Sequence, residues 1–144
     1  MGAAPEPGTV LRYVYLWAVE REQGKVEAEK DRPTLVVAVT IAEEDGRSTV
    51  LVVAITHSPP KSPSDAVPFP AGAKRQVGLD DEPAWIVTTE ANYFDWPGPD
   101  IRFIPGRTPA TSIYGRIPTS LLQRVAKSLV ENRHMQRMRM ISRE

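Results

Sequence analysis

The sequence predicts a mainly β fold, a small and strongly bent antiparallel β-barrel followed by a C-terminal α-helix. Five or six short segments are rich in β-branched and aromatic residues, which is typical of strands. No helical pattern separates the early segments, and this disfavours a doubly wound α/β fold. All 14 prolines lie at or before Pro118, and the clearest helical spacing of apolar residues begins only after it.

The first half of the chain predicts an arm and three strands. Residues 1–8 hold two prolines and two glycines and are expected to form a flexible arm. In residues 9–18 large apolar and aromatic side chains recur at every second position, which predicts a strand. Residues 19–31 are charged and predict a loop. Residues 34–42 are apolar on both faces, as in a central strand, and a turn at 43–46 leads to its partner at 48–57.

The second half predicts shorter elements. Residues 58–83 carry six prolines, and proline lacks a backbone donor, so only a short edge strand at 66–69 is expected there. The later predicted segments are a strand at 85–89, an aromatic turn-rich segment at 92–99 and short strands at 101–104 and 111–114. We therefore expect one barrel domain over residues 9–131, ending in the helix.

The C-terminal helix is the clearest local prediction. Ser120 and Gln123 have the spacing of a capping box. The apolar residues that repeat at helical spacing are Leu121, Leu122, Val125, Ala126, Leu129 and Val130. The pattern weakens after Glu131, so residues 132–144 are interpreted as a basic tail that contacts RNA, meets an acidic protein segment, or is simply solvated.

Composition excludes several functions. The chain has no cysteine and two histidines, which excludes a disulfide framework and a thiol nucleophile and disfavours an all-protein zinc site. No apolar run reaches the roughly 18 residues of a membrane span, and residues 1–8 lack the features of a signal peptide. We therefore expect a cytoplasmic protein with no metal or other cofactor and no membrane contact.

Charge is distributed unevenly along the chain. The 18 basic and 18 acidic residues cancel, which disfavours a protein that coats nucleic acid but permits a local basic site. Residues 1–114 carry 11 basic and 16 acidic side chains, whereas residues 115–144 carry 7 and 2. The sum of zero is thus an acidic body added to a basic C-terminal segment.

Four segments, in order, resemble the MazF/PemK family of toxin endoribonucleases, which belong to toxin–antitoxin pairs. The segments are Gly8-Thr9-Val10, Arg32-Pro33 running into Thr34–Ala42, Ile55-Thr56-His57-Ser58, and a strand entering Thr89–Trp96 ahead of the C-terminal helix. Each is weak alone, and the resemblance rests on their joint order over residues 8–130. It implies an SH3-like barrel, a homodimer, an antitoxin partner and cleavage of single-stranded RNA without a metal.

The resemblance also implies that Arg32 and Thr56 are the main catalytic pair. In such enzymes the ribose 2′-OH attacks the adjacent phosphate, and negative charge gathers on its nonbridging oxygens. Arginine offers a rigid fork of donors that stays charged, and threonine adds a short hydroxyl donor. His57 follows Thr56 and can transfer protons, although strict alternation would place these two side chains on opposite faces. The other interpretation of His57 is a partly buried histidine at a strand end.

A polar and aromatic cluster predicts RNA contacts. Its predicted RNA-binding members are Glu90, Asn92, Tyr93 and Trp96, with Arg102 as a further phosphate contact. Aromatic faces stack on unpaired bases, but the rings of Phe94 and Trp96 could equally plug the end of the barrel or form a dimer contact.

Two departures from the family pattern keep an alternative open. Thr9 stands where many members have an acidic residue, and Thr89–Asn92 stands where many have an Asp-Gln-x-Arg-like segment. The alternative is a catalytically degenerate SH3-like barrel that binds RNA or protein. Action on DNA or a topoisomerase ranks last.

Overall fold

A computed structural model of the protein describes residues 2–24 and 30–143. Over these residues it has eight strands, three α-helices and one 3₁₀ turn at Pro63–Asp65. The strands are β1 Thr9–Tyr13, β2 Arg32–Ile41, β3 Ser48–Thr56, β4 Ala66–Pro68, β5 Trp85–Val87, β6 Glu90–Asp95, β7 Ile113–Arg116 and β8 Arg139–Ser142. The helices are α1 Ala18–Glu22, α2 Ala71–Gln76 and α3 Thr119–His134.

The strands form one bent sheet in the order β4-β5-β3-β2-β1-β7, and β6 joins β3 to β8. Every described pairing is antiparallel except that of β6 with β8. The bend has two visible causes. β3 pairs with β6 over Thr49–Val52 and with β5 over Ile55–Thr56, and Val37 is an extra residue in the β2–β3 register. The mainly β, bent antiparallel sheet with a C-terminal helix is confirmed, although the sheet is not closed.

Besides a small cluster of Leu16, Ala18 and Ile141, the core of the described residues forms two clusters, because neighbouring residues of a strand point to opposite faces. One cluster contains Val10, Leu35 and Val53, and α3 covers it with Leu121 and Val125. The other lies on the opposite face of the sheet, where the Tyr13 and Phe94 rings stack with centroids 4.6 Å apart. Because a core cluster lies on each face of the sheet, β2 and β3 carry apolar residues on both faces.

Several elements differ from the sequence prediction. The first strand ends at Tyr13 and α1 begins at Ala18, where the Trp17 N–H donates to the Glu20 carboxylate at 3.0 Å. The helix α2 forms within the proline-rich segment 58–83. The strand β6 spans the boundary between two predicted segments, whereas 101–104 contributes only a single bridge, from Ile101 to Tyr13.

Both terminal segments belong to the folded body. The arm expected at 1–8 packs on the sheet over its described part, where Pro5 is buried and the Gly8 N–H donates to the Val36 carbonyl at 2.7 Å. The basic tail expected at 132–144 begins within α3 and then forms β8, with Ile141 buried against α1. The alternation of Arg and Met over residues 137–140 is thus the entry to a strand. Among the described residues no helix is long and apolar enough to cross a bilayer.

Candidate functional site

A cleft of about 120 Å³ opens where β2 begins and β3 ends. Its lining consists of Arg32, Pro33, Ile55, Thr56, His57, Lys74, Leu79, Asp80 and Ala84. The antiparallel register pairs Thr34 with Ala54, so two residues further out Arg32 lies opposite Thr56. All three residues predicted to be catalytic therefore meet at this cleft.

Arg32 is partly buried and retains spare hydrogen-bonding capacity. Its guanidinium carbon lies 5.0 Å from the centre of the Trp17 ring, a cation–π contact. Its Nε is buried and has no hydrogen-bond partner among the described residues. Burial lowers the pKa of Arg32, against the opposing charges of Glu20 and Tyr15, but an arginine stays protonated at neutral pH. The result is a poorly hydrated, fixed cation at the edge of the cleft.

Thr56 and His57 share the cleft because β3 ends at Thr56 and the strict alternation ends with it. The Thr56 hydroxyl oxygen accepts from the Ser58 N–H at 3.1 Å, which leaves its own proton available for an anion. The side chain of His57 is 50% exposed and directly follows β3, so both its catalytic role and the alternative of a partly buried strand-end histidine stay open.

The His57 ring is held by the segment that follows α2. Its Nδ1 lies 2.9 Å from the Pro83 carbonyl oxygen, which can only accept, so Nδ1 is the donor. Its Nε2 lies 3.1 Å from Oδ2 of Asp80 and 3.5 Å from Oε2 of Glu82. Both ring nitrogens thus face acceptors.

Lys74 and Asp80 were not predicted to lie at the site. Lys74 is only 3% exposed; its ammonium lies 3.1 Å from Oδ1 of Asp80 and also donates to the Glu82 carbonyl. Burial alone would raise the pKa of Asp80, but Lys74, the Glu82 N–H and His57 together lower it. No sequence pattern marks a lysine for burial, and only the packing of α2 beside β3 places this one.

One group of described residues has ligand atoms close enough to hold a metal ion. His57, Asp80 and Glu82 offer atoms within 4.8 Å of one another, and all three are exposed. The Lys74 ammonium already provides a positive charge beside Asp80. As described, the group is a hydrogen-bonded cluster that binds a cationic side chain.

Glu90 and Asn92 lie elsewhere, where they anchor the link between β1 and α1. Asn92 is fully buried; its Oδ1 accepts from the Leu16 N–H and its Nδ2 donates to the Leu16 carbonyl, both at 2.8 Å. Glu90 accepts from the Ala18 N–H at 2.9 Å and the Tyr15 hydroxyl at 3.1 Å. Burial raises the pKa of Glu90 despite these donors. Direct RNA contact by Asn92 does not fit this burial.

The other three predicted RNA contacts are also outside the lining of the cleft. Trp96 packs on the core beside Phe94 and donates through its indole N–H to the Gly2 carbonyl. Tyr93 borders a separate groove that is also lined by Leu51 and Met140. Arg102 is exposed and donates to the Pro99 carbonyl at 2.7 Å.

In comparisons with known proteins, no protein-family model matches this chain, and no curated protein matches it in sequence. The functional argument therefore rests on the fold and the cleft. Together they define a bent β sheet with two cationic side chains, a hydroxyl and an imidazole converging at one end.

Proposed function

We propose that this protein is a metal-independent endoribonuclease of the MazF/PemK type that cleaves single-stranded RNA at the cleft. One observation carries the proposal. Arg32 from one segment and the neighbours Thr56 and His57 from another, selected by the resemblance and the adjoining sequence, line the same cleft. The homodimer and the antitoxin partner are predictions of the same resemblance, the cytoplasmic location is a prediction from composition, and all three belong to this proposal.

The residues of the cleft suit phosphoryl chemistry. Arg32 and the Thr56 hydroxyl donate to the nonbridging oxygens, and the nearby charge of Lys74 favours the anionic transition state. The 2′-OH attacks, the P–O2′ bond forms and the P–O5′ bond breaks. The 2′-OH proton passes to water, and His57 gives a proton to the leaving 5′ oxygen. The products are a 2′,3′-cyclic phosphate and a 5′-OH end.

One observation favours the alternative, a barrel that binds RNA or protein without cleaving. Both ring nitrogens of His57 are engaged by residues 80–83, so the ring must leave a partner before it reaches a substrate. The departures at Thr9 and Thr89–Asn92 point the same way.

The test is incubation of the purified protein with a 5′-labelled single-stranded RNA in excess EDTA. We expect cleavage that leaves a cyclic phosphate, is blocked by 2′-deoxy substitution at the cut site and is lost in Arg32→Ala. Arg47→Ala, which removes an exposed arginine outside the cleft, is the matched control. Equal cleavage by the wild type and Arg32→Ala would remove the basis of the proposal. Tight binding without cleavage would favour the binding module.

A further inference from the structure

We propose that Asp80 is a positioning residue of the proposed cleavage site, which holds His57 and Lys74 in place without contacting RNA. The inference rests on the proposed function and deepens it. The Asp80 carboxylate contacts two other parts of the fold. Oδ2 lies 3.1 Å from Nε2 of His57 at the end of β3, and Oδ1 lies 3.1 Å from Nζ of Lys74 in α2.

Both oxygens of the Asp80 carboxylate are held by hydrogen bonds. Oδ1 also accepts from the Glu82 backbone N–H at 3.1 Å, a turn in which an aspartate binds the chain two residues on. Lys74 is almost fully buried, so it gives Asp80 a fixed partner. An aspartate with a backbone contact, a buried cation and an imidazole on its two oxygens is held in one orientation.

This arrangement determines how His57 is presented. The Pro83 carbonyl holds Nδ1 and Asp80 holds Nε2, so the same short segment fixes the ring from both sides. Both partners are acceptors, so each ring nitrogen that carries a hydrogen can donate to one of them. A ring nitrogen that carries a hydrogen is also the group that can give a proton to a leaving oxygen. Because both nitrogens are engaged, the ring must release the Pro83 carbonyl before Nδ1 can reach a leaving oxygen, while Asp80 keeps its contact with Nε2. Asp80 then has the orienting role that a carboxylate has in other acid–base sites.

Glu82 provides a matched control. Its carboxylate carries the same charge in the same segment and lies 3.5 Å from Nε2 of His57. Its side chain is 72% exposed, and no other described contact of its carboxylate reaches α2 or the backbone. Glu82→Gln therefore removes a negative charge beside the cleft and leaves the anchor intact, whereas Asp80→Asn removes the charge and weakens the anchor.

The kinetic test measures kcat and KM on a short single-stranded RNA for the wild type and both variants. For Asp80→Asn we expect kcat to fall by about tenfold or more, because supporting contacts of this kind are worth about 10–100-fold. KM should stay level or fall, since a charge that repels phosphate is gone. Glu82→Gln should keep kcat within about threefold of the wild type. If Asp80→Asn cleaves as fast as Glu82→Gln, or faster, the two acids only repel RNA and the proposal is overturned.

A second readout does not depend on cleavage. The chain has only two histidines, so a His134→Gln variant assigns the His57 ring signals in proton NMR. In the wild type and Glu82→Gln we expect one set of NOE contacts from the ring to residues 80–83, and in Asp80→Asn an averaged, weaker set. Unchanged contacts in a folded Asp80→Asn would overturn the positioning role. If the wild type cleaves no RNA, the proposed function fails, and the NMR comparison still decides whether Asp80 orients the ring.

Discussion

The cleft at the β2–β3 end and the Glu90–Asn92 pair on β6 contain similar polar residues, but the fold uses them differently. Asn92 is 0% exposed, and both ends of its amide are bonded to the Leu16 backbone. In the cleft, the buried Nε of Arg32 has no partner among the described residues. The sequence pointed to both regions as parts of an RNA site.

The contrast shows that a polar residue is available to a ligand when the fold leaves some of its hydrogen-bonding capacity unused. Buried polar groups in a folded chain are almost always satisfied by backbone or side chains, and such groups contribute to stability. A cationic group at the mouth of a cleft with donors to spare is available to a ligand. Substitutions in the two regions should therefore affect different measured quantities.

Arg32→Ala is expected to give the largest difference between loss of cleavage and loss of stability. Loss of a fixed donor to the charged transition state should lower RNA cleavage by about 10²–10³-fold. The free energy of unfolding should fall by only about 0.5–1 kcal/mol, since the lost contact is one cation–π pair. Labelled-RNA cleavage and urea denaturation measure the two effects. A large loss of stability with proportionate loss of cleavage would assign Arg32 to the fold instead.

Asn92→Ala should show the reverse pattern. It removes two buried hydrogen bonds and leaves the Leu16 N–H and carbonyl without partners, so the free energy of unfolding should fall by about 2–4 kcal/mol. Cleavage per folded molecule should remain close to that of the wild type. Urea titration gives the stability, and activity is scaled to the folded fraction. If Asn92→Ala were as stable as the wild type but no longer cleaved RNA, Asn92 would have to act in RNA binding or cleavage.

Thr56→Val tests the hydroxyl donor at the cleft with little change in volume. Cleavage should fall by about 10–100-fold, below the effect of Arg32 because the lost donor is neutral. Thr56→Ser keeps the hydroxyl and is expected to retain most of the activity. Initial rates on the same RNA measure both variants. Equal losses in Val and Ser would show that the methyl group, and not the hydroxyl, is required.

The smallest effect concerns the pH dependence of stability at Glu90. Its folded-state pKa is raised above the ordinary value of 4.5, chiefly by burial, so the folded chain binds this proton more tightly than the unfolded chain. The stabilisation is complete below the unfolded pKa and is lost as the pH rises through the folded pKa. Glu90→Gln keeps the acceptor oxygen without the charge. Its stability relative to wild type should therefore rise with pH in denaturation at pH 4 to 8, and a difference independent of pH would contradict this.

Local patterns predicted the elements whose partners are near in sequence. The hairpin of β2 and β3 came from two apolar runs and a turn, and α3 came from helical spacing. The capping box expected from Ser120 and Gln123 was wrong, because α3 already begins at Thr119 after Pro118 and no side chain caps it. The parallel pairing of β6 with β8 escaped prediction, because it joins an aromatic segment to a charged one almost 50 residues later. The helix α2 escaped because its proline-rich surroundings indicate a loop, and packing decided otherwise.

The amino-acid sequence was sufficient to predict a mainly β fold and its terminal helix, because periodicity and residue chemistry are properties of the chain itself. The choice of Arg32 and Thr56 came from the family resemblance, with His57 added as their neighbour, and it stays a prediction. Tertiary structure decided which polar residues form hydrogen bonds inside the fold and which face a cleft. It joined His57 to Asp80 and Lys74, and it enclosed Asn92, because burial and hydrogen-bond partners arise only when distant segments pack together.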